Sequence, residues 1–287
     1  MSNLQDTTQN TNLISFEQIL KLVSPEALAI YTRYIDRIAQ NVNGKEQARP
    51  NSYGLLKLVN MLVVSGLHKK CAGLFYLASP ININFPGEVK YEHIRYDVFG
   101  SNHLDKYSAF PTVTVQGTKI ENQADLYDHR PIEPAKEDLC LVFMMSQPST
   151  YGFDWGGESE ENHAHAFSSA GNASNFGDAI FKWNSGKDFT AVKKSEDTQD
   201  PLGLYVIHVN GTSLDYRHRT VKLTKSVPQS YARFCGSLLN YNTIKNPSNG
   251  TMKLYATFSN GGIGEQGLTS TEIDKIQQIF AECEPYL

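Results

Sequence analysis

Apolar and polar residues alternate without a break from Met252 to Phe258. Met252, Leu254, Ala256 and Phe258 fall on one side and Lys253, Tyr255 and Thr257 on the other, the period of a strand with one buried face. Asn249-Gly250 just before it suits a tight turn, so a hairpin is expected to deliver the chain into this strand. A loop carrying Gly261, Gly262, Gly264 and Gly267 follows. Thr269 and Glu272 then stand at the spacing of a capping box, in which hydroxyl and carboxylate each satisfy a backbone N–H of the first helical turn. The spacing of Ile273, Ile276, Phe280 and Cys283 predicts one apolar helical stripe, which Pro285 ends.

The opposite end of the chain has helical rather than strand periodicity. Residues 1–12 are polar and read as a flexible tail, and a short helix is expected over 15–23. Ser24-Pro25-Glu26 supplies a cap, a proline at the first helical position and an acid in the first turn. Leu28, Tyr31, Ile35, Ile38 and Val42 then share one face, and Leu55, Leu58, Val59 and Leu62 mark a further helix ending near Gly66. So few helices bury little by themselves, and their apolar faces must meet either the rest of the chain or a neighbouring subunit. Leu28, Tyr31, Ile35, Ile38, Leu55, Val59 and Leu62 are accordingly the candidate assembly residues.

Between these ends the period is that of short strands. Thr112–Val115, Ala179–Phe181, Phe189–Val192, Leu204–Val209, Thr212–Tyr216, Val221–Leu223 and Tyr231–Cys235 read as strands, with Asn210-Gly211 as a tight hairpin turn. Leu139–Met145 is a continuous apolar run, which predicts a central strand covered on both faces. Many short strands separated by turns imply a mainly β sandwich or jelly roll.

The closing segment, with Gly-Leu-Thr-Ser-Thr-Glu-Ile at 267–273 between the last strand and a short helix, resembles the C-terminal signature of concanavalin A-like or laminin-G-like sandwich domains. It is most similar to the version found in tailed-phage particles. The stretch from Val59 to Leu77 is similar to the helix-and-strand leader that precedes the sandwich in those proteins, although Cys71 and Phe75-Tyr76-Leu77 depart from its pattern. The resemblance implies a concanavalin A-like (laminin-G-like) jelly-roll sandwich with an N-terminal helical leader and a short C-terminal helix. It divides the chain into a tail (1–12), a leader for attachment (13–78) and the sandwich (79–287). It further implies a noncatalytic virion protein on the head or tail, assembled in the host cytoplasm, whose partners are other virion proteins or further copies of itself. The alternatives are a lectin-like module for host-surface glycans and a glycan-cleaving hydrolase or lyase.

Composition narrows this only in places. A net charge of −4 gives no general reason to expect nucleic-acid binding. No apolar run reaches the roughly 20 residues of a membrane-spanning helix, and Met1–Asn12 lacks the features of a signal peptide. Cys71, Cys140, Cys235 and Cys283 are widely spaced, which favours free thiols over a disulfide framework or a zinc site.

The densest unusual chemistry lies between Gly152 and Phe167. Asp154, Trp155, Glu158, His163 and His165 are the candidate ligand-binding residues, because a His-x-His pair beside carboxylates suits a cation or sugar-contact loop; elsewhere the apolar faces of Trp183, Tyr151 and Tyr241 suit sugar rings, although such aromatics more often belong to a core. The plainer reading is a solvated loop between strands. Glu158 and Glu160 have the spacing of glycosidase carboxylates, but their Gly, Ser and Asn flanks are poor strand formers, so no catalytic residue is assigned. No cofactor is expected beyond at most a structural divalent cation. Arg217, His218 and Arg219 read as an exposed strand end.

Overall fold

The computed structural model describes residues 21–42, 53–78, 87–106, 110–119, 126–132, 138–148, 154–158, 164–168, 180–182, 190–191, 202–227, 234–238, 250–259 and 267–287. Its helices are α1 (Pro25–Asn41), α2 (Tyr53–Val64), α3 (Gly87–Ile94) and α4 (Ser270–Cys283). One antiparallel sheet contains β1 (Cys71–Tyr76), β3 (Thr112–Thr114), β4 (Gly117–Lys119), β6 (Leu139–Gln147), β11 (Gly203–Asn210), β12 (Ser213–His218), β13 (Val221–Ser226) and β15 (Thr251–Phe258). The second contains β2 (Leu104–Lys106), β5 (Leu126–Ile132), β7 (Trp155–Glu158), β8 (Ala164–Ser168), β9 (Ile180–Lys182), β10 (Thr190–Ala191) and β14 (Phe234–Leu238).

The first sheet runs β13-β12-β11-β6-β15-β4-β3, with β1 pairing beside β4 along the same edge of β15. Its alternation builds two cores. Leu139, Leu141, Phe143 and Met145 of β6, with Tyr205 and Ile207 of β11, face Leu126, Trp155 and Phe167 of the second sheet. Cys140, Val142 and Met144, with Leu204, Val206, Leu254, Ala256 and Phe258, face the helices. The molecule is therefore a mainly β sandwich of two antiparallel sheets, with α1, α2 and α4 as a third layer on the outer face of the larger sheet and Tyr91 and Ile94 of α3 in the inter-sheet core. A strand covered by a sheet on one side and helices on the other needs apolar residues at every covered position, and β6 has them from Leu139 to Met145.

Local chemistry fixes the helix ends as the sequence predicts. Ser24 Oγ accepts the Ala27 N–H at 3.2 Å, and Thr269 Oγ1 accepts that of Glu272 at 3.2 Å while the Glu272 carboxylate accepts the Thr269 N–H at 2.8 Å. The start of α4 is also tied to the sandwich, because Asp138 accepts the Leu268 N–H at 2.6 Å and lies 3.1 Å from His208 Nε2. Burial works against the Asp138 carboxylate, but His208 and the Leu268 N–H outweigh it and hold its pKa below the usual range. The last turn packs on α2. Lys57 pairs with Glu282 at 3.1 Å, and an added Cβ on Gly54 would meet the Tyr286 carbonyl oxygen at 2.3 Å.

Several expectations are revised. The hairpin expected to deliver the chain into β15 is not found among the described residues: the partners of β15 are β6, β1 and β4, the described strand before it, β14, lies in the other sheet, and Asn249 falls outside the described residues. Within Gly152–Phe167, the solvated-loop reading gives way at the described residues 155–158 and 164–167 to two paired strands, β7 and β8, and the residues between them lie outside the described ones. Arg217 and His218 are each only 1% exposed, so the exposed-strand-end reading fails for both. Arg217 is buried with Asp215 at 2.7 Å and a second carboxylate from Asp274 of α4. The Asn210-Gly211 turn forms as expected, with Gly211 at φ 57° between Asn210 and Ser213. The expected helix at 15–23 falls mostly outside the described residues.

The helical faces have an intramolecular destination. Tyr31, Ile35, Ile38, Leu55, Val59 and Leu62 are buried in the core shared with the larger sheet, and Leu28 is half-buried. The segment assigned as leader also contributes β1, whose Leu74 and Tyr76 join that core while Phe75 and Leu77 point into the inter-sheet layer. Cys140 and Cys283 are buried free thiols, and burial pushes the Cys283 thiol up to about 12.

Candidate functional site

Of the residues singled out between 154 and 165, the structure describes Asp154 just before β7, Trp155 and Glu158 on β7, and His165 on β8. The Asp154 N–H donates to the Phe167 carbonyl at 2.8 Å, and its side chain is buried. Trp155 is fully buried in the inter-sheet layer, 6.3 Å from Phe143 between ring centroids, and so presents no platform to a sugar. Glu158 pairs across the ladder with Ala164, and His165 with Gly157. His163 lies outside the described residues, as do Tyr151, Trp183 and Tyr241. Among the described residues no three metal-ligating side chains cluster.

The geometry of a site appears instead between α1 and the loop that follows α3. Arg33, Asp36, Arg37 and Gln40 recur at three and four residues on the side of α1 that turns away from Tyr31, Ile35 and Ile38. They form one wall of a groove of about 490 Å³ whose other wall is Val98, Phe99, Gly100 and Ser101. Val98 is buried behind this wall, and half-buried Phe99 supplies its apolar surface.

A single carboxylate organises that loop. Asp97 is 2% exposed and accepts N–H groups from Leu74 of β1 at 3.0 Å, Phe99 at 3.0 Å and Gly100 at 2.9 Å. The Asp97 N–H donates to the Asn102 carbonyl at 3.1 Å and the Val98 N–H to that of Leu74 at 2.8 Å, which pins the loop to the sheet. Gly100 is needed for this close wrap, since an added Cβ would stand 2.4 Å from Asp97 Oδ2. Arg37 reaches across and donates from both terminal nitrogens to the carbonyls of Asp97 and Gly100. Its guanidinium also lies over the Tyr96 ring at 6.0 Å, and Tyr96 is held by Glu92 and Asn41, both at 2.7 Å.

The electrostatics of this loop are unbalanced. Burial raises the Asp97 pKa to about 6 in spite of the three N–H donors and nearby Arg37. Burial likewise lowers that of Arg37, against the opposing pull of Asp97 and Tyr34. Because the folded pKa of Asp97 exceeds its unfolded value, its contribution to stability is fully present below the unfolded pKa of 3.8 and is lost as pH rises through about 6. The loss amounts to roughly 3 kcal/mol above that window. Asp138, with its depressed pKa, has the opposite sign and loses its contribution as pH falls. The difference between the wild-type chain and Asp97→Asn in denaturant stability, followed from pH 4 to 7, isolates Asp97: the wild type should lose stability relative to the variant as pH rises. A constant difference would show that Asp97 ionises normally.

Sequence reasoning missed this groove because its parts are far apart: Arg37 and Gly100 meet across 63 positions. The one local signal is the polar stripe Arg33, Asp36, Arg37, Gln40, and such a stripe is ordinary on a solvated helix face.

No protein-family model and no curated protein matches the chain. Among solved structures, domain 4 of AbnA, a GH43 extracellular arabinanase from Geobacillus stearothermophilus, in complex with arabinotriose, is 13% identical with a TM-score of 0.40, covering 72% of this chain and 98% of that one. A Trypanosoma rangeli sialidase mutant displaying trans-sialidase activity is 9% identical with a TM-score of 0.46, covering 93% of this chain and 39% of the sialidase. The exoplasmic/lumenal domain of VIP36 in its Ca2+/Man3GlcNAc-bound form is 10% identical with a TM-score of 0.32, covering 56% and 84%. All three bind or process glycans, and likeness at this level carries no argument about what this chain does.

Proposed function

We propose that the protein is a noncatalytic, lectin-like glycan-binding module whose ligand occupies the groove between α1 and the 97–102 loop. The observation that carries this reading is the groove: about 490 Å³, apolar surface from half-buried Phe99 and a wall of long polar side chains on α1. Saccharides are recognised by that combination of apolar contact and fixed polar groups, and the volume falls in the range of small-ligand pockets. Jelly-roll sandwiches include lectin domains, which adds an analogy of fold and no more.

The commitments of the buried carboxylates favour binding over catalysis. Asp97 accepts three backbone N–H groups, Asp128 accepts from Asn102 at 2.7 Å, Asp138 serves His208 and Leu268, and Asp215 serves Arg217. A glycosidase needs two carboxyl groups facing one open cleft. A narrower reading, a tailed-phage virion component, draws on the similarity of residues 267–273, a turn formed here as the capping box of α4. Detection of the chain in purified particles tests that reading separately.

Titrating the full chain against glycans retained from an array tests the module reading. Saturable binding is expected, and Gln40→Trp, which fills the groove from an exposed helix position, should abolish it while leaving the melting temperature intact. Binding untouched by Gln40→Trp would place the ligand elsewhere. Absence of any saturable binding would leave an architectural role.

A further inference from the structure

We propose that this groove selects acidic saccharides, with the guanidiniums of Arg33 and Arg37 receiving the sugar's carboxylate; the inference rests on the glycan-binding reading above. Arg33 and Arg37 stand four residues apart on α1, hence about 6 Å along its axis and on one face. That spacing lets two planar, permanently charged groups converge on one carboxylate, the pairing for which guanidinium geometry is suited.

Among the described residues neither arginine forms a salt bridge with a carboxylate, although Asp97 and Tyr34 favour the Arg37 cation. Arg33 is exposed and makes no ion pair or hydrogen bond among the described residues. Arg37 is half-buried and donates to two carbonyls, which are neutral, leaving others of its five N–H donors for a guest. The carboxylate closest in the loop, Asp97, is occupied with the N–H groups of Leu74, Phe99 and Gly100. Asp36 contributes one negative charge to the same wall, so the groove's side chains carry two positive charges against one. Burial and, to a smaller extent, the charge of Arg33 disfavour the Arg37 cation against the pull of Asp97 and Tyr34, and an anion bound between the two arginines would add to that pull.

The rest of the groove argues for a sugar rather than a bare anion. Its volume of about 490 Å³ is far larger than an inorganic anion fills. Half-buried Phe99 offers apolar surface to a ring face, while Gln40 and Ser101 offer polar groups to hydroxyls. An acidic saccharide uses all of these at once, and its carboxylate fixes the orientation.

Calorimetric titration of the full chain with a uronic-acid trisaccharide and with its carboxyl-reduced counterpart changes only the charge of the ligand. The acidic sugar should bind roughly tenfold more tightly, with the preference shrinking as salt is raised. Arg33→Gln, at an exposed position, should erase most of that preference; Arg37→Lys, which keeps the charge but not the fork, should weaken it. Equal affinity for the two sugars, both lost in Gln40→Trp, would overturn acid selection and leave the glycan reading standing. A preference that survives both arginine variants, or inorganic phosphate binding as tightly as the sugar, would overturn the assignment of the site. Failure of both sugars to bind would overturn this inference together with the reading it rests on.

Discussion

A shortened chain beginning at Ser79 should aggregate instead of folding. Removing residues 1–78 takes away α1, α2 and β1, and with them most of one side of the core that contains Cys140, Val142, Met144, Leu204, Val206, Leu254, Ala256 and Phe258. Fully burying one such large aliphatic or aromatic side chain is worth about 1.5–3 kcal/mol, so uncovering several exceeds the roughly 5–15 kcal/mol by which a domain is stable. The truncation also frees the edge of β15 that pairs with β1 from Cys71 to Tyr76, leaving unpaired backbone groups next to an apolar face. Size-exclusion chromatography and circular dichroism decide the matter. A monomeric product with a cooperative unfolding transition would show that the helices are an appendage after all, and would return Tyr31, Ile35, Leu55 and Leu62 to the role of a surface for partners.

That prediction turns on what amphipathic periodicity does and does not contain. The stripe through Tyr31, Ile35 and Ile38 says that one face of α1 is covered, and the chemistry of Ser24, Pro25 and Glu26 says where the helix starts. Neither says what covers it, because the partner side chains lie on β6, β11 and β15, more than a hundred residues away. The β6 run was legible for the converse reason: only a strand covered on both faces has apolar residues at every position from Leu139 to Met145.

The Gly152–Phe167 region was opaque because its local signals point the wrong way. Gly156, Gly157, Ser159 and Asn162 have low strand propensity, yet β7 and β8 form through the ladder Trp155–Phe167 to Glu158–Ala164 and through burial of Trp155 and Phe167 against Phe143. Tertiary packing decided the structure there, and the same packing takes Trp155 out of reach of any ligand. Asn249-Gly250 illustrates a related limit. A turn-prone pair marks a reversal, but whether the chain returns in its own sheet or crosses to the other depends on which edge is free.

Phe280→Ala should be among the most damaging single substitutions in the chain. The α4 stripe of Ile273, Ile276, Ile279, Phe280 and Cys283 is buried without remainder on the outer face of the larger sheet, and Phe280 meets Phe258 of β15 edge-on with ring centroids 6.1 Å apart. Around it the helix is held at its start by the capping box and by Lys70 at 2.8 Å from Glu272. At its other end it is held by Lys57 at 3.1 Å from Glu282 and by the hydrogen bond at 3.1 Å from the Tyr76 hydroxyl to the Leu287 carbonyl. Those restraints limit how far the helix can collapse into the space a missing ring leaves, so the cavity should persist. Truncating a buried Phe under such conditions costs about 3–5 kcal/mol, which for a chain of this size lowers the melting temperature on the order of 10 °C. Thr269→Ala removes only the cap and should cost about 1 kcal/mol, so the pair separates docking of the helix from its initiation. Equilibrium denaturation of both variants provides the measurement. Equal and small losses would mean that α4 stands on its own propensity, and the helical layer would then lose its claim to be part of the sandwich core.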